Sequence, residues 1–527
     1  MASINPDSES LSILEQNILR YEWVRGCALD ARQRGDTLKA IGWAYLAGFC
    51  GWHGHAGRYV DPTLERMLHE IGQDIPPGSG VPHLGGHPST PFSRTRWLHV
   101  ISTALPVGGH TRLVQQWIRK DVDTGACHSV ILADQRWLPV PVWLREAVAQ
   151  GGGNLVELHP KMKMFERVVA IRQAMAETAD IVVLHTHPND PLSVLAGAVE
   201  GLPPMILMNH AEHVFWFGAS LADVVADLRP WGQQTTLGRR RARQSVLLPI
   251  PLEPPLSGTK EEARCRLGFS PDTTILLSIG SDYKYIPFGE QDFPAAVQEI
   301  LRRNPSTVMV VVGPDGTGPA WSGVRESAGE RLLLMGQRED IGDFYRAADI
   351  YLECYPVGSH TASLDAVLFG SPVLRAPVPP IEMLGLEDYE GMTPRASDQD
   401  TYCDQAGRLI KDSEFRRESA LAQKRAVIAL HGGEGWLSHR DRLLSALPPR
   451  HDSSFNLPEF TLAPDRHDRI WAELQARQEE ALVLKRAYLD NSAFKSLLAF
   501  NKLKRLWAVT AGRSNYHPEM LSALKRW

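Results

Sequence analysis

The chain has 527 residues, 43% hydrophobic and 22% charged, with a formal net charge of −5. That length exceeds what one hydrophobic core fills, so two or more domains are expected in an ordinary globular composition. The slight acidic balance excludes a general nucleic-acid binder, whose affinity rests on surplus Lys and Arg. The six cysteines lie far apart without a Cys-x-x-Cys pair, which fits reduced thiols in a cytoplasmic setting better than disulfides or zinc. Asp7, Glu9 and Glu15 near the start break the basic-then-apolar order of a signal peptide. No run reaches the roughly 20 apolar residues of a membrane span, so the expectation is a soluble or at most peripheral protein.

Residues 8–75 read as helical, with Leu11, Leu14, Ile18 and Leu19 in one apolar stripe and Leu38 to Phe49 in a second. Asp61 suits an N-cap and Pro62 the first turn of a helix over Thr63–Ile71. A Pro/Gly-rich linker, Pro76 to Pro91, closes this N-terminal segment (1–90), expected to cover part of the next domain.

From Arg96 strands and helices alternate. Trp97–Ala104, Ser129–Ala133, Leu155–Leu158, Ile181–His185 and Met205–Asn209 read as strands, with helices at Thr111–Lys120, Val142–Ala149 and Phe165–Glu177 between them. A further strand is expected at Val246–Pro249. β-Branched runs separated by helices imply a parallel sheet covered on both faces, here over residues 91–255. The pattern restarts in 256–450, with strands Thr274–Ile279, Val308–Val312, Leu332–Met335, Ile350–Cys354 and Val373–Ala376, and helices at Pro294–Arg303 and Ile341–Ala347. The fold class is therefore α/β, two doubly wound Rossmann-like domains expected to face a cleft, with helical additions at both ends. The last segment, 451–527, begins as a loop and helix (Asp465–Asp490). It ends with Lys495, Lys502, Lys504, Arg505, Arg513, Lys525 and Arg526 interleaved with Leu498, Phe500, Leu503 and Trp507. That pattern suits an anionic membrane surface or a partner, and equally a helix packed on the protein's own body.

The most informative stretch is Asp349–Leu374. A short strand meets Pro356-Val357-Gly358, and a helix opens at Ser359, His360 and Thr361. Small hydroxyl residues at a helix start leave backbone N–H groups and a positive dipole end for an anion. Asp365, one turn on, is placed to accept hydrogen bonds from a sugar hydroxyl. Lys284 lies in the loop after the domain's first strand, where an ammonium neutralises a diphosphate.

These pieces resemble the two-domain GT-B glycosyltransferases, and the O-GlcNAc transferase family (glycosyltransferase family 41) in particular. Tyr283-Lys284-Tyr285-Ile286-Pro287 is similar to that family's diphosphate-contacting lysine loop. Gly336-Gln337-Arg338-Glu339-Asp340 sits where such proteins hold the nucleotide base, and Gly358-x-His360-Thr361-x-x-x-Asp365 looks like their phosphate- and ribose-binding helix start. The resemblance implies a UDP-sugar donor. Lys284, Gly358, Ser359, His360 and Thr361 would lie at the diphosphate, Asp365 at the ribose, and Gln337 and Arg338 at the base. No tetratricopeptide period is present, so a protein acceptor does not carry over.

Retaining family 4 enzymes typically carry two glutamates, spaced as Val357 and Asp365 are here. Val357 at the first position favours inversion, which needs a base on the acceptor hydroxyl. His110, in Gly108-Gly109-His110 after the first strand, ranks first, because the glycines admit close backbone approach and a neutral imidazole titrates near pH 7. Family 41 also has a histidine in this loop, and Gly109 would approach the donor. His213 or Glu212 ranks next. His185, His187, Asn209 and His210, at other strand ends, are expected to touch acceptor or sugar.

No cofactor or metal is expected. His210, Glu212 and His213 lack His-Glu-x-x-His spacing, and Asp398-Gln399-Asp400 reads as a helix N-cap rather than a metal-binding Asp-x-Asp. The basic run Gly238–Arg243 reads as a solvated helix end or an attractor of anions.

The leading expectation is an inverting, metal-independent transferase moving a sugar from a UDP-sugar to a hydroxyl. Its acceptor would be a saccharide or lipid-linked glycan, with bacterial surface-polysaccharide synthesis as the setting, or else a protein modified on oxygen or nitrogen. A UDP-sugar 2-epimerase and a non-catalytic nucleotide-sugar-binding protein share the architecture and remain as alternatives.

Overall fold

A computed structural model describes residues 12–476, apart from 77–94 and positions 107, 137, 254, 256, 317, 339, 378 and 460. The basic tail, the end of the expected helix over 465–490 and most of the Pro/Gly-rich linker lie outside the described residues. Among the described residues, no helix is long and apolar enough to cross a membrane.

Two compact units form. Among the described residues, unit 1 holds those up to Pro106, then Asp121–Leu247 and those from Leu443 to Ala476, and unit 2 holds those of Val107–Lys120 and Leu248–Arg442. These units do not follow the boundaries expected from sequence order. The helix Gly109–Asp121, which comes right after the first strand, groups up to Lys120 with the second sheet.

Unit 1 is built on a parallel sheet of seven strands: β1 Arg96–Ile101, β2 Cys127–Leu132, β3 Gly152–Glu157, β4 Ile181–His185, β5 Met205–Asn209, β6 Val224–Asp227 and β7 Ser245–Leu247, in the order β3-β2-β1-β4-β5-β6-β7. β6 escaped the sequence reading because its four residues are short and wholly buried, with no alternation to mark them. On one face, Leu98, Val100, Val182 and Leu184 pack into a core with the helices Ile13–Gln33, Thr37–His53, Pro62–Asp74 and Met164–Thr178. The N-terminal segment is thus part of this unit's core. Asp61 caps its third helix as expected, accepting from Leu64 N–H at 3.0 Å.

Buried charge fastens that segment. The Glu65 carboxylate accepts the N–H groups of Gly218 (2.8 Å), Ala219 (3.2 Å) and Ser220 (2.8 Å), together with the Ser220 hydroxyl. The Arg172 guanidinium donates to the carbonyls of Gly72, Ile75, Leu195 and Ala196, closing the ends of two helices whose last carbonyls lack intrahelical partners. The basic run is likewise structural, which corrects its reading as a solvated helix end. Arg240 is fully buried, donates to the carbonyls of Glu212 and Val214, and lies 4.3 Å from the Trp216 ring centroid. Arg239 pairs with Asp468, and Arg243 with Asp452.

Unit 2 carries a five-stranded parallel sheet: β8 Thr274–Ile279, β9 Thr307–Val312, β10 Leu332–Leu334, β11 Ile350–Leu352 and β12 Val373–Leu374, in the order β10-β9-β8-β11-β12. Its core gathers Leu276, Phe293, Val297, Ile300, Val311, Trp321 and Tyr402. Asp398 accepts from Thr401 N–H at 2.8 Å and so caps the helix Gln399–Lys411.

Glu65→Ala would strand three buried N–H donors, each worth roughly 1–3 kcal/mol when left unpaired. The expected outcome is a loss of about 3 kcal/mol or more, read as a lower denaturant midpoint. An unchanged midpoint would show that the Glu65 cluster does not anchor the N-terminal helices.

Candidate functional site

In each sheet the strand order reverses beside the first strand, and the crevice at the carboxyl ends there is where open α/β sheets bind ligands. In unit 2 this point falls between β8 and β11. The loop after β8 carries Lys284 on a short 3-10 turn, Asp282–Tyr285. The loop after β11 runs through Gly358 into the helix His360–Phe369. Lys284 Nζ donates to Gly358 O at 2.8 Å and to Ser359 Oγ at 3.1 Å, so the ammonium stands at the helix start. Tyr351 fixes the same pair of strands, its hydroxyl accepting from Ile279 N–H at 3.2 Å and donating to Ile279 O at 3.1 Å.

Two glycines make this approach sterically feasible. A Cβ on Gly280 would lie 2.8 Å from Ser359 Oγ. One on Gly358 would lie 2.6 Å from Leu384 O and 2.8 Å from Glu353 Oε1. Behind Gly358, the buried Glu353 carboxylate accepts Ala376 N–H (2.8 Å) and Leu386 N–H (2.6 Å), and burial raises its pKa. It is a positioning group for the wall of the turn.

The helix starts directly after Ser359, and a helix N-terminus of this kind is the generic setting for an anion. Ser359 is buried and Thr361 half-buried, while His360 Nδ1 stands 3.2 Å from Glu387 Oε2. Gly109 also belongs here, since a Cβ on it would lie 3.7 Å from Thr361 Oγ1. His110 therefore sits in the unit that carries Lys284, which corrects its expected origin in the opposite domain. Burial pushes the Asp365 carboxyl up to about 6, and the Arg112 charge offsets part of that shift. Gln337 and Arg338 are exposed at the end of β10, separated from β8 by β9, and Arg338 pairs with Asp340 at 2.8 Å.

Sequence reasoning missed Arg112, Glu353 and Glu387. Arg112 was within reach, two residues past His110 on the same helix. Glu353 reads as one polar residue at a strand end, and Glu387 lies in an irregular stretch whose contacts no periodicity encodes.

The remaining candidates lie in unit 1. Asn209 is buried and committed, donating to Asp227 at 2.6 Å and accepting from Trp216 Nε1–H at 3.1 Å. It holds strands together, and the structure does not present it to a ligand. Glu212 is buried in an ion pair with Arg229, and the His213 ring meets Trp471 edge-on at 4.8 Å. His185 is fully buried and linked to the half-buried His210 at 2.8 Å. His187 N–H donates to Ser102 Oγ at 2.9 Å, at the reversal point between β1 and β4. Among the described residues, no cluster of three or more His, Cys, Asp or Glu is placed to hold a metal.

With this geometry in hand, comparison with known proteins identifies the class. No protein-family model matches the chain. HepE of Anabaena, solved with UDP and glucose, has the same fold at a TM-score of 0.50 and 12% identity, over 67% of this chain and 99% of that one. The chain thus has the two-sheet α/β architecture of the GT-B glycosyltransferases. More particularly, a D-inositol 3-phosphate glycosyltransferase of Nocardiopsis dassonvillei is 26% identical over 222 residues, covering 39% of this chain and 50% of that protein. The chain therefore spans half the length of the curated relative it matches. An O-GlcNAc transferase of Thermobaculum terrenum aligns over 82% of this chain with 16% identity and a TM-score of 0.45.

Gly358→Ala forces a Cβ against a backbone carbonyl and the Glu353 carboxylate, neither of which can retreat cheaply. Overpacking of this kind costs about 1–3 kcal/mol, so the denaturant midpoint is expected to fall accordingly. A midpoint within error of the parent would mean that the turn is looser than its contacts imply.

Proposed function

We propose that the chain is a glycosyltransferase that binds a UDP-sugar at the reversal point of unit 2 and moves the sugar to an acceptor hydroxyl. The observation that carries this reading is the contact of Lys284 Nζ with Gly358 O and Ser359 Oγ, which sets a cation at the N-terminus of a ten-residue helix. Cation and helix dipole together suit a diphosphate, and they act on the charge that grows as the diphosphate leaves. Asp365, one turn in, suits the ribose hydroxyls, and Gly109, His110 and Thr361 suit the phosphates or the sugar. UDP as the nucleotide draws support from the ligand carried by HepE and from the resemblance in the lysine loop and helix start.

The reaction in this reading is one in-line displacement with inversion and no metal, because Lys284 and the helix start supply the positive charge. Val357, buried beside the turn, puts no carboxylate where retaining enzymes carry glutamate. The acceptor is a saccharide or lipid-linked glycan. NMR of the product's anomeric proton tests the stereochemistry, and a retained configuration would refute inversion.

Two measurements test the site. Native-state ligands raise stability by mass action, so among UDP-, GDP- and TDP-sugars the UDP-sugars should raise the melting temperature most. Lys284→Ala should weaken UDP binding about 10–100-fold, matching the roughly 1.5–3 kcal/mol of a charge-assisted contact. Wild-type affinity in that variant by calorimetry would refute the site. UDP-sugars interconverted without acceptor would point to epimerisation instead.

Asp365 makes a prediction about pH. Its ribose-accepting form is the carboxylate, so affinity for UDP-glucose should fall as pH drops through about 6, the value to which burial raises it. Stability moves the other way. The raised folded pKa means the folded protein holds this proton more tightly than the unfolded chain, so the stabilisation is present below the unfolded value and is lost as pH rises through about 6. Asp365→Asn should flatten both curves. A UDP-glucose titration with the same pH dependence in that variant would remove Asp365 from the ribose site.

A further inference from the structure

The helix Gly109–Asp121 belongs to unit 2 as far as Lys120, and contacts near both of its ends hold it there. Toward its carboxyl end the Trp117 and Trp436 rings meet edge to face with centroids 5.7 Å apart, and Arg119 pairs with Glu253 at 3.1 Å. At its start, Gly109 faces Thr361 in the first turn of the helix His360–Phe369, close enough that a Cβ on the glycine would lie 3.7 Å from Thr361 Oγ1. Arg112 stands one turn past Gly109, and Asp365 stands one turn past Thr361, so the two pairs advance along their helices in step. The electrostatics agree with that placement: burial raises the Asp365 carboxyl, and the Arg112 charge pulls it part of the way back.

Two helix starts thus open side by side within unit 2. Each carries about half an elementary positive charge on its unpaired N–H groups, and Lys284 adds a whole one beside the second. Arg112 is exposed, and among the described residues no hydrogen bond or ion pair engages its guanidinium. It does not pair directly with Asp365, which leaves both groups for a ligand. A buried polar atom lies in the same neighbourhood. The Tyr345 ring stacks on Phe369 with centroids 5.2 Å apart, and its hydroxyl is buried with no hydrogen-bond partner among the described residues. Burial raises the pKa of that hydroxyl, the Asp365 charge adds to the shift, and the Arg112 charge opposes it, so all three groups lie within electrostatic reach of one another. A buried hydroxyl that the protein leaves unpaired is an exception in a folded chain. Gathered positive charge, an uncommitted guanidinium and an unpaired hydroxyl in one place fit a polar anion.

We propose that Arg112 is a donor-binding residue whose guanidinium takes the phosphate next to the ribose, the α-phosphate of a nucleoside diphosphate. The assignment rests on the transferase reading above, in which Asp365 marks the ribose end of the site. The α-phosphate is the group bonded to the ribose, so it falls beside Asp365 and within reach of Arg112. The outer phosphate then falls to Lys284 and the helix start at Ser359, one turn away. The diphosphate is held between cations carried on separate elements, Lys284 on the loop after β8 and Arg112 on the helix after β1. Arginine suits the inner position because its planar fork meets two phosphate oxygens at once, and an ammonium cannot.

The test uses the full chain, with calorimetry for UMP and UDP and ligand-observed NMR for uridine. Arg112→Ala should weaken UMP and UDP about 10–100-fold, the effect of losing a charge-assisted hydrogen bond, and leave uridine binding unchanged. Arg112→Lys keeps the charge and loses the fork, so its losses should fall between those of the parent and the alanine variant. Lys284→Ala should weaken UDP and leave UMP near the parent value. Parent affinity for UMP and UDP in Arg112→Ala would overturn the proposal. So would a loss confined to UDP, which would put Arg112 at the outer phosphate. A loss shared by uridine would make Arg112 a prop of the nucleoside pocket and overturn it too. Arg112 is exposed, so the variant should melt with the parent and the lost affinity should report binding alone.

A second measurement needs no ligand, so it separates failure of this assignment from failure of the transferase reading. Carboxyl-carbon NMR follows the titration of Asp365. A neighbouring cation favours the carboxylate, so Arg112→Ala should move the midpoint upward from about 6, and Arg112→Lys should hold it nearer the parent value. A midpoint unmoved in Arg112→Ala would set the guanidinium apart from Asp365 and overturn the proposal, whatever the protein catalyses. A shifted midpoint in a protein that binds neither UMP nor UDP would count against the uridine donor alone. The same variants with GDP and TDP and their monophosphates would then decide Arg112. Should none of these nucleotides bind, the donor reading and this assignment fall together.

Discussion

The candidate site of unit 2 depends on one buried-edge contact, the Lys284 ammonium on the carbonyl of Gly358. An ammonium is strongly hydrated and is held near low-dielectric protein only when fixed acceptors replace that water. Gly358 O and Ser359 Oγ are those acceptors, and they lie at the start of the helix whose dipole favours an anion. The cation is therefore already oriented, and in the proposed transfer little reorganisation would be needed when negative charge develops. The glycines at 280 and 358 follow from the same contact, because side chains there would push the two loops apart. Tyr351 and Glu353 serve it from behind, the one tying β8 to β11 and the other bracing the wall of the turn.

Unit 1 uses buried charge differently. Glu65, Arg172 and Arg240 each satisfy several backbone groups that no helix or sheet ladder reaches. A buried ion is costly unless its hydrogen-bonding capacity is filled, and peptide groups fill that of Glu65 and Arg172, whereas Arg240 donates through one nitrogen and lies against the Tyr59 and Trp216 rings. Their effect is to fix where the N-terminal helices and the segment 211–220 lie. Arginine suits this task because its planar fork reaches several carbonyls at once, whereas a lysine is a single point charge.

Much of the fold was legible because parallel strands announce themselves as short β-branched runs between helices. Thr274–Ile279, Ile181–His185 and Met205–Asn209 are strands with the very bounds their sequence suggests. Lys284 and the turn at Gly358 were legible as a pair because each follows a strand, and reversal-point logic brings the ends of a first and a fourth strand together. What sequence order misplaced was the helix after β1. Chain continuity suggests that it covers its own sheet, yet residues up to Lys120 group with the second unit and bring His110 with them. The basic run misled for another reason. Consecutive arginines look solvated, but Arg240 faces inward and finds carbonyls that only the tertiary fold supplies.

His128, His99, His185 and His210, whose ring nitrogens approach one another in turn at 3.0, 3.0 and 2.8 Å inside unit 1, show where one-dimensional reading ends. His99 and His128 appear in sequence as single polar interruptions of apolar strands, and nothing in spacing connects residues so far apart. Their meeting requires both the strand order and the register, in which Trp97 pairs with His128 and Ile101 with His185. Parallel pairing with that stagger turns scattered histidines into a diagonal line on one face. Four adjacent rings could not all be charged in such a place, since each buried imidazolium would lose its hydration and repel the next. Neutral rings joined head to tail satisfy their inner hydrogen bonds without charge. The fixed cation in unit 2 and the neutral imidazoles in unit 1 follow from one rule: buried charge persists where fixed partners hold it, and buried imidazoles without such partners stay neutral.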